Sequence, residues 1–136
     1  MRVVIDTNVY ISAVLFGGIP DQALEIIDKH RYLLCYSDFI ISELRRTLGE
    51  KFSWENWRIE ETLDYLFADA KKFNPDFIPA ISRDPKDNPI IACAMSAVAN
   101  VIVSGDKDLL VLKRHGTIRI INPKNFVQLP LGGVYH

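Results

Sequence analysis

Apolar and polar positions come in blocks along this chain rather than alternating residue by residue. Val3, Val4 and Ile5 make a short apolar run that Asp6, Thr7 and Asn8 close at once. The run predicts a strand over "RVVID" and a helix over "NVYISAVLF", ended by Gly17 and Gly18. "PDQALEIIDKH" predicts a second helix, with Pro20 and Asp21 at its start and Ala23, Leu24 and Ile27 on one face. "YLLCY" reads as a second strand. Ser37 and Asp38 then supply cap chemistry for a helix over "FIISELRRTL", whose Ile40, Ile41, Leu44 and Leu48 recur at helical spacing, with Gly49 as the stop. "ENWRIEETLDYLFADAKKF" predicts one long helix ended by Asn74 and Pro75.

After the loop "ISRDPKDNP" comes "IIACAMSAVAN", a helix so apolar that it requires cover on most sides. "VIVSGDKDLLVL" reads as strand, turn and helix; "TIRII" is a last strand, and "NPKNFVQL" a last helix opened by Asn122 and Pro123. Strands that are apolar throughout have no face to show to water, so a parallel sheet covered by helices on both sides is expected, a three-layer α/β/α domain. At 136 residues the chain has the length of a single domain. Residues 1–129 carry the pattern, and "PLGGVYH" (130–136) is a peripheral tail.

Composition narrows the class. No apolar run reaches the ~20 residues of a bilayer crossing, and Asp6 sits where a signal sequence would need its apolar core. Cys35 and Cys93 lie inside apolar runs without CxxC spacing, as reduced core thiols of a cytoplasmic protein do. P-loop, GxSxG, HExxH and GxGxxG motifs are absent.

The chemistry-bearing residues fall where an open α/β sheet binds ligands, at the C-terminal ends of its strands. Asp6 ends the first strand; Ser104, Gly105, Asp106 and Asp108 follow "VIV"; Asp84 and Asp87 occupy the loop before the apolar helix; Glu43 lies in the helix after the second strand. Each also fits an ordinary role: Asp6, Asp87 and Asp106 as helix caps, and Glu43 as partner of Arg46. Those roles leave the joint pattern unexplained, because the acids close apolar segments that contain no lysine or arginine. Buried anions without partners protonate or recruit a cation, and hard carboxylate oxygens favour Mg²⁺ or Mn²⁺.

Taken together, "VVIDTNVYIS", "ISEL", "DPKDNPIIACA" and "VIVSGDKDLL" resemble the PIN-domain family, in particular its toxin-like ribonucleases of the VapC type. The resemblance runs from Met1 to about Leu129, with the four motifs in the family's order. It implies one catalytic, metal-binding acid from each motif: Asp6, Glu43, Asp87 and Asp106. Asn8 and Ser104 match the polar helpers, with Ser104 standing where Thr is frequent. Asp108 matches an additional acid, and Asp84 is a neighbouring one; Asp87 is preferred as the direct ligand because it adjoins the apolar helix. The implied activity is hydrolysis of RNA phosphodiesters by metal-activated water, leaving a 5′-phosphate and a 3′-hydroxyl. The implied partners are RNA, a cognate antitoxin and a second copy of the chain.

No histidine is needed as base, and His30, His115 and His136 lie outside the motifs as surface residues. Setting the four acids aside leaves 13 against 16 basic residues, so the rest of the surface is mildly positive. Arg46, Arg83, Lys86 and Lys107 flank the motifs and are candidate phosphate contacts. Trp54 and Trp57 read as a helix junction rather than a base-stacking pair. Two other readings compete. One is a PIN-like module that binds RNA or protein without cleaving. The other is an aspartyl-phosphate domain, which would want a second acid two residues beyond Asp6, where Asn8 stands.

Overall fold

The structure is a computed structural model and describes residues 1–129; the tail over 130–136 and His136 lie outside the described residues. Its centre is a six-stranded sheet: β1 (Arg2–Ile5), β2 (Leu33–Tyr36), β3 (Lys71–Lys72), β4 (Val101–Val103), β5 (Arg114–His115) and β6 (Ile118–Ile121). The spatial order is β3-β2-β1-β4-β6-β5, parallel except for the β5–β6 pair. Val3, Val4, Ile5, Val101, Ile102 and Val103 are fully buried, as strands covered on both faces must be.

The helices are α1 (Thr7–Phe16), α2 (Gly18–Lys29), α3 (Asp38–Arg46), α4 (Asn56–Leu66), α5 (Asn88–Ser96), α6 (Lys107–Leu110) and α7 (Pro123–Val127). They flank the sheet in the expected α/β/α arrangement. α1 packs on α2, α2 on α7, and α5 on β1, β2 and β4. Consecutive Gly17 and Gly18, both at φ 68°, turn the chain from α1 into α2 without a linker.

Connections from β1 run outward on one side to β2 and β3, and on the other side to β4 and β6, so strand order reverses between β1 and β4. That reversal opens a crevice at their C-terminal ends. The ladder continues past both strands: Asp6 N donates to Val103 O at 2.9 Å and Ser104 N to Ile121 O at 3.0 Å. The first residues of the crevice are therefore as fixed as the sheet itself.

Several element boundaries differ from the sequence pattern. Gly49 does not stop α3; the chain continues through a turn of π-helix over Thr47–Lys51. A side chain at Gly49 would meet Ile59 Cδ1 at an ordinary contact distance of 3.6 Å, so neither termination nor close packing requires glycine there. The long helix predicted to reach Phe73 ends at Leu66, and Lys71–Lys72 instead pairs with β2 as an edge strand. That pairing satisfies backbone groups at the sheet edge, an outcome that helical periodicity cannot reveal. Arg114–His115 forms an unexpected hairpin with β6, turning at Gly116 (φ 59°). His30 and His115 are half-buried rather than fully superficial, His30 against the ring of Tyr32 at 5.5 Å. Trp54 packs beside the core beneath the Arg58 guanidinium at 3.7 Å, whereas Trp57 is exposed.

Candidate metal and nuclease site

The site grows from the two strands that flank the reversal. Asp6 holds the N-cap position of α1, yet its side chain does not make the usual cap bond further along the first turn; its backbone carbonyl accepts the helix bond from Val9 N at 3.0 Å. The carboxylate, 7% exposed, accepts from Ser104 Oγ at 2.7 Å. The same hydroxyl oxygen accepts from Asp106 N at 3.0 Å. A single fully buried serine thus ties the end of β1 to the turn after β4. Asp106 caps α6 through a bond from Asp108 N at 2.7 Å.

The third contribution comes from the loop before α5. Asp84 accepts from Lys86 N at 3.0 Å and caps the 3₁₀ turn over Pro85–Asp87. Asp87, 5% exposed, stands at the N-cap position of α5 without capping it, and accepts from Ser82 Oγ at 3.2 Å. Asp84, Asp87 and Asp108 present carboxylate oxygens within 4.8 Å of one another.

The electrostatics join these acids into one cluster. Burial raises the Asp87 carboxyl, and the charges of Asp106 and Asp6, a hydrogen bond with Asp106 and the charge of Asp84 add to the shift, up to about 7. Burial likewise raises Asp6, opposed by the bonds from Ser104 and the Thr7 backbone and reinforced by Asp106. Five aspartates from three segments therefore share one crevice. Hard carboxylate oxygens gathered in a crevice, two of them on buried side chains, are the donor set a small divalent cation suits.

The remaining expected residues fall differently. Glu43 lies on α3 with its Oε2 taken by Arg46, at 2.6 and 2.9 Å, and is not one of the three acids within 4.8 Å. Arg46 also lies 3.7 Å from Glu50. Arg83 is 2.9 Å from Asp108, so a cation does reach the cluster's rim. Asn8, Lys86 and Lys107 are exposed, and neither lysine forms an ion pair among the described residues. Two residues were not anticipated: Ser82, and Asn88, whose side chain is buried against the same loop. The one sequence signal was an amide directly after the acid at the start of an apolar helix.

A family model described as PIN domain matches residues 2–108. The chain belongs to the PIN-domain family. Members of that family are generally nucleases, and an acidic cluster at this edge of the sheet is in keeping with such chemistry. Among relatives, an uncharacterized protein of Methanocaldococcus jannaschii, MJ1680, is 33% identical over 146 aligned positions, covering 94% of this chain and 90% of its own. Among solved structures, a chain of the crystal structure of VapBC2 from Rickettsia felis, bound to a DNA fragment from their promoter, superposes with a TM-score of 0.64. It is 16% identical, with 90% of this chain and 98% of that chain covered, and the likeness is one of fold. No helix among the described residues is long and apolar enough to cross a membrane.

Proposed function

We propose that this protein is a metal-dependent endoribonuclease of the VapC-like kind, acting as the toxin of a toxin–antitoxin pair. The observation that carries the reading is the convergence of Asp6, Asp87 and Asp106 at the end of a parallel sheet, where burial first and the neighbouring charges second push Asp87 to about 7. Crowded anions raise the energy of the empty site and favour a cation that neutralises them. In this reading Asp6, Asp87 and Asp106 hold Mg²⁺ or Mn²⁺, and Glu43 joins them by leaving Arg46. Asp84 and Asp108 add charge at the rim.

A divalent ion bound there supplies water activation and neutralisation of phosphoryl charge. The chain's own groups do the rest. Ser104 fixes the rotamer of Asp6 and the turn that presents Asp106. Arg83, Lys86 and Lys107 lie beside the acids and meet the phosphate backbone; Arg46 does so once Glu43 is released. A homodimer in the cytoplasm, with an antitoxin covering the crevice, completes the proposal; the VapBC2 assembly of the structural neighbour supports the partner.

A second reading, a PIN-like module that binds without cleaving, is favoured by one observation: Glu43 is already satisfied by Arg46. RNA cleavage measured with Mg²⁺ or Mn²⁺, with EDTA, and for Asp6→Asn separates the two. Activity is expected in the first sample only. Equal cleavage in all three would reject the metal mechanism, and no cleavage in any would favour the binding module.

A further inference from the structure

Asp84 and Asp87 sit on a stretch, residues 81–87, whose only regular element is the 3₁₀ turn over Pro85–Asp87. Like charges on such a segment push it apart, so something must hold it closed. Two side chains do. Asn88, 6% exposed, accepts from Ile81 N at 3.1 Å and from Ser82 N at 2.7 Å with one amide oxygen. Ser82 Oγ in turn donates to Asp87 Oδ2 at 3.2 Å and accepts from Asp84 N at 3.3 Å. Asn88 is the first residue of α5, a helix buried along most of its length, so the anchor is the core itself.

We infer that Asn88 and Ser82 are positioning residues: Asn88 closes the loop onto α5, and Ser82 transmits that closure to the two acids. The inference rests on the metal-site reading above. Without the amide oxygen, two partly buried backbone N–H groups lose their acceptor, and Ser82 loses the backbone anchor from which its hydroxyl holds Asp87 Oδ2 and Asp84 N. Outer-shell partners of this kind cost about 10–100-fold in metal affinity when removed. A core asparagine without this duty would change stability and leave affinity alone.

The test uses the full chain with Mn²⁺ alone as probe, read by calorimetry, together with the thermal midpoint of the metal-free protein. Wild type is compared with Asp87→Asn, Asn88→Ala, Ser82→Ala and Ser82→Thr. Asp87→Asn is expected to abolish binding. Asn88→Ala and Ser82→Ala are expected to weaken it by about 10–100-fold, and Ser82→Thr, which keeps the hydroxyl, to bind close to wild type. The metal-free midpoints of the two Ser82 variants should nearly coincide, so that the affinity gap between them reports positioning rather than folding.

If Asp87→Asn binds Mn²⁺ as wild type does, the metal-site reading falls and the inference with it. If Asp87→Asn loses binding while Asn88→Ala and Ser82→Ala keep it, the positioning roles alone are overturned. Should Asn88→Ala fail to fold, the comparison of Ser82→Ala with Ser82→Thr decides. Equal weakening in those two would also overturn the proposal, because it would trace the loss to the change of volume instead of the hydroxyl.

Discussion

Two sets of carboxylates in this molecule meet opposite fates. Around α3 and α4 three acids are held by cations: Glu60 takes two bonds from Arg45 at 2.7 and 2.9 Å, Asp38 lies 3.0 Å from Lys72 and Glu43 lies 2.6 Å from Arg46. Lys72 and Asn74 hold Asp38 below its ordinary value, and Arg45 does the same for Glu60. At the ends of β1 and β4 the acids have mainly one another, and burial with mutual repulsion moves Asp6 and Asp87 upward. Side chains of one chemical kind are thus stabilised as anions in one region and resisted in the other. Ordinary folding accounts for the first region; the second exists at a cost to stability that an ion would offset.

The sharpest way to break this contrast is to neutralise one crowded acid. Asp87→Asn keeps the shape, removes a charge and is expected to lower RNA cleavage by more than about 100-fold, beyond the loss typical of an outer-shell partner. Metal-free, the same variant should melt at a higher temperature than wild type at pH 8, since repulsion is relieved. Loss of activity together with loss of stability would mean that Asp87 is a structural anion and that the two regions do not differ in kind.

Titration sharpens the comparison next. In the folded chain Asp87 keeps its proton up to about pH 7, against an ordinary aspartate value of 3.8. Between those values the folded state binds more protons than the unfolded one, so its stability falls as pH rises. Metal-free protein should therefore melt higher at pH 5.5 than at pH 8, the stability difference being on the order of a few kcal/mol at most. Asp87→Asn should flatten that slope. Mn²⁺ affinity should run the other way and rise from pH 6 to pH 8, because the proton and the ion compete for one carboxylate. A midpoint that climbs with pH through this window would contradict the crowded-anion account.

Much of this was legible beforehand, and the exceptions have a common physical form. The strands were visible because Val3–Ile5 and Val101–Val103 are apolar without interruption, and Asp6 and Ser104 because they break those runs. Closeness across the sheet was readable only through the expectation of parallel order, which β1 and β4 fulfil as neighbours. What stayed hidden depended on tertiary partners. Lys71–Lys72 carries no strand signature and pairs because β2 offers an open edge. Gly49 resembled a helix stop, yet the chain runs on through it as a π-helical turn. Ser82 and Asn88 are small polar residues in a loop, and only their shared bonds to the 81–88 segment mark them. Glu43 is the converse case: its motif assigns it to the site, while its spacing to Arg46 favours the helix pair that the structure shows.

Glu43 consequently sits on the border between the two regions, and its substitution tests where that border lies. Glu43→Gln removes the charge that holds Arg46 and, in the reading advanced here, one donor to the ion. Cleavage is expected to fall by about 10-fold or more, with the thermal midpoint little moved, since an i,i+3 helix pair open to solvent on its arginine side contributes little. Glu60→Gln supplies the matched control. It breaks a more exposed pair, with Arg45, that no motif includes, so both cleavage and midpoint should stay at wild-type level, within the ~1 kcal/mol usual for surface bridges. If the two variants behave alike, Glu43 belongs with the ordinary surface acids and the site is built from aspartates alone. If only Glu43→Gln loses cleavage, the pair with Arg46 is a resting arrangement that the bound ion replaces.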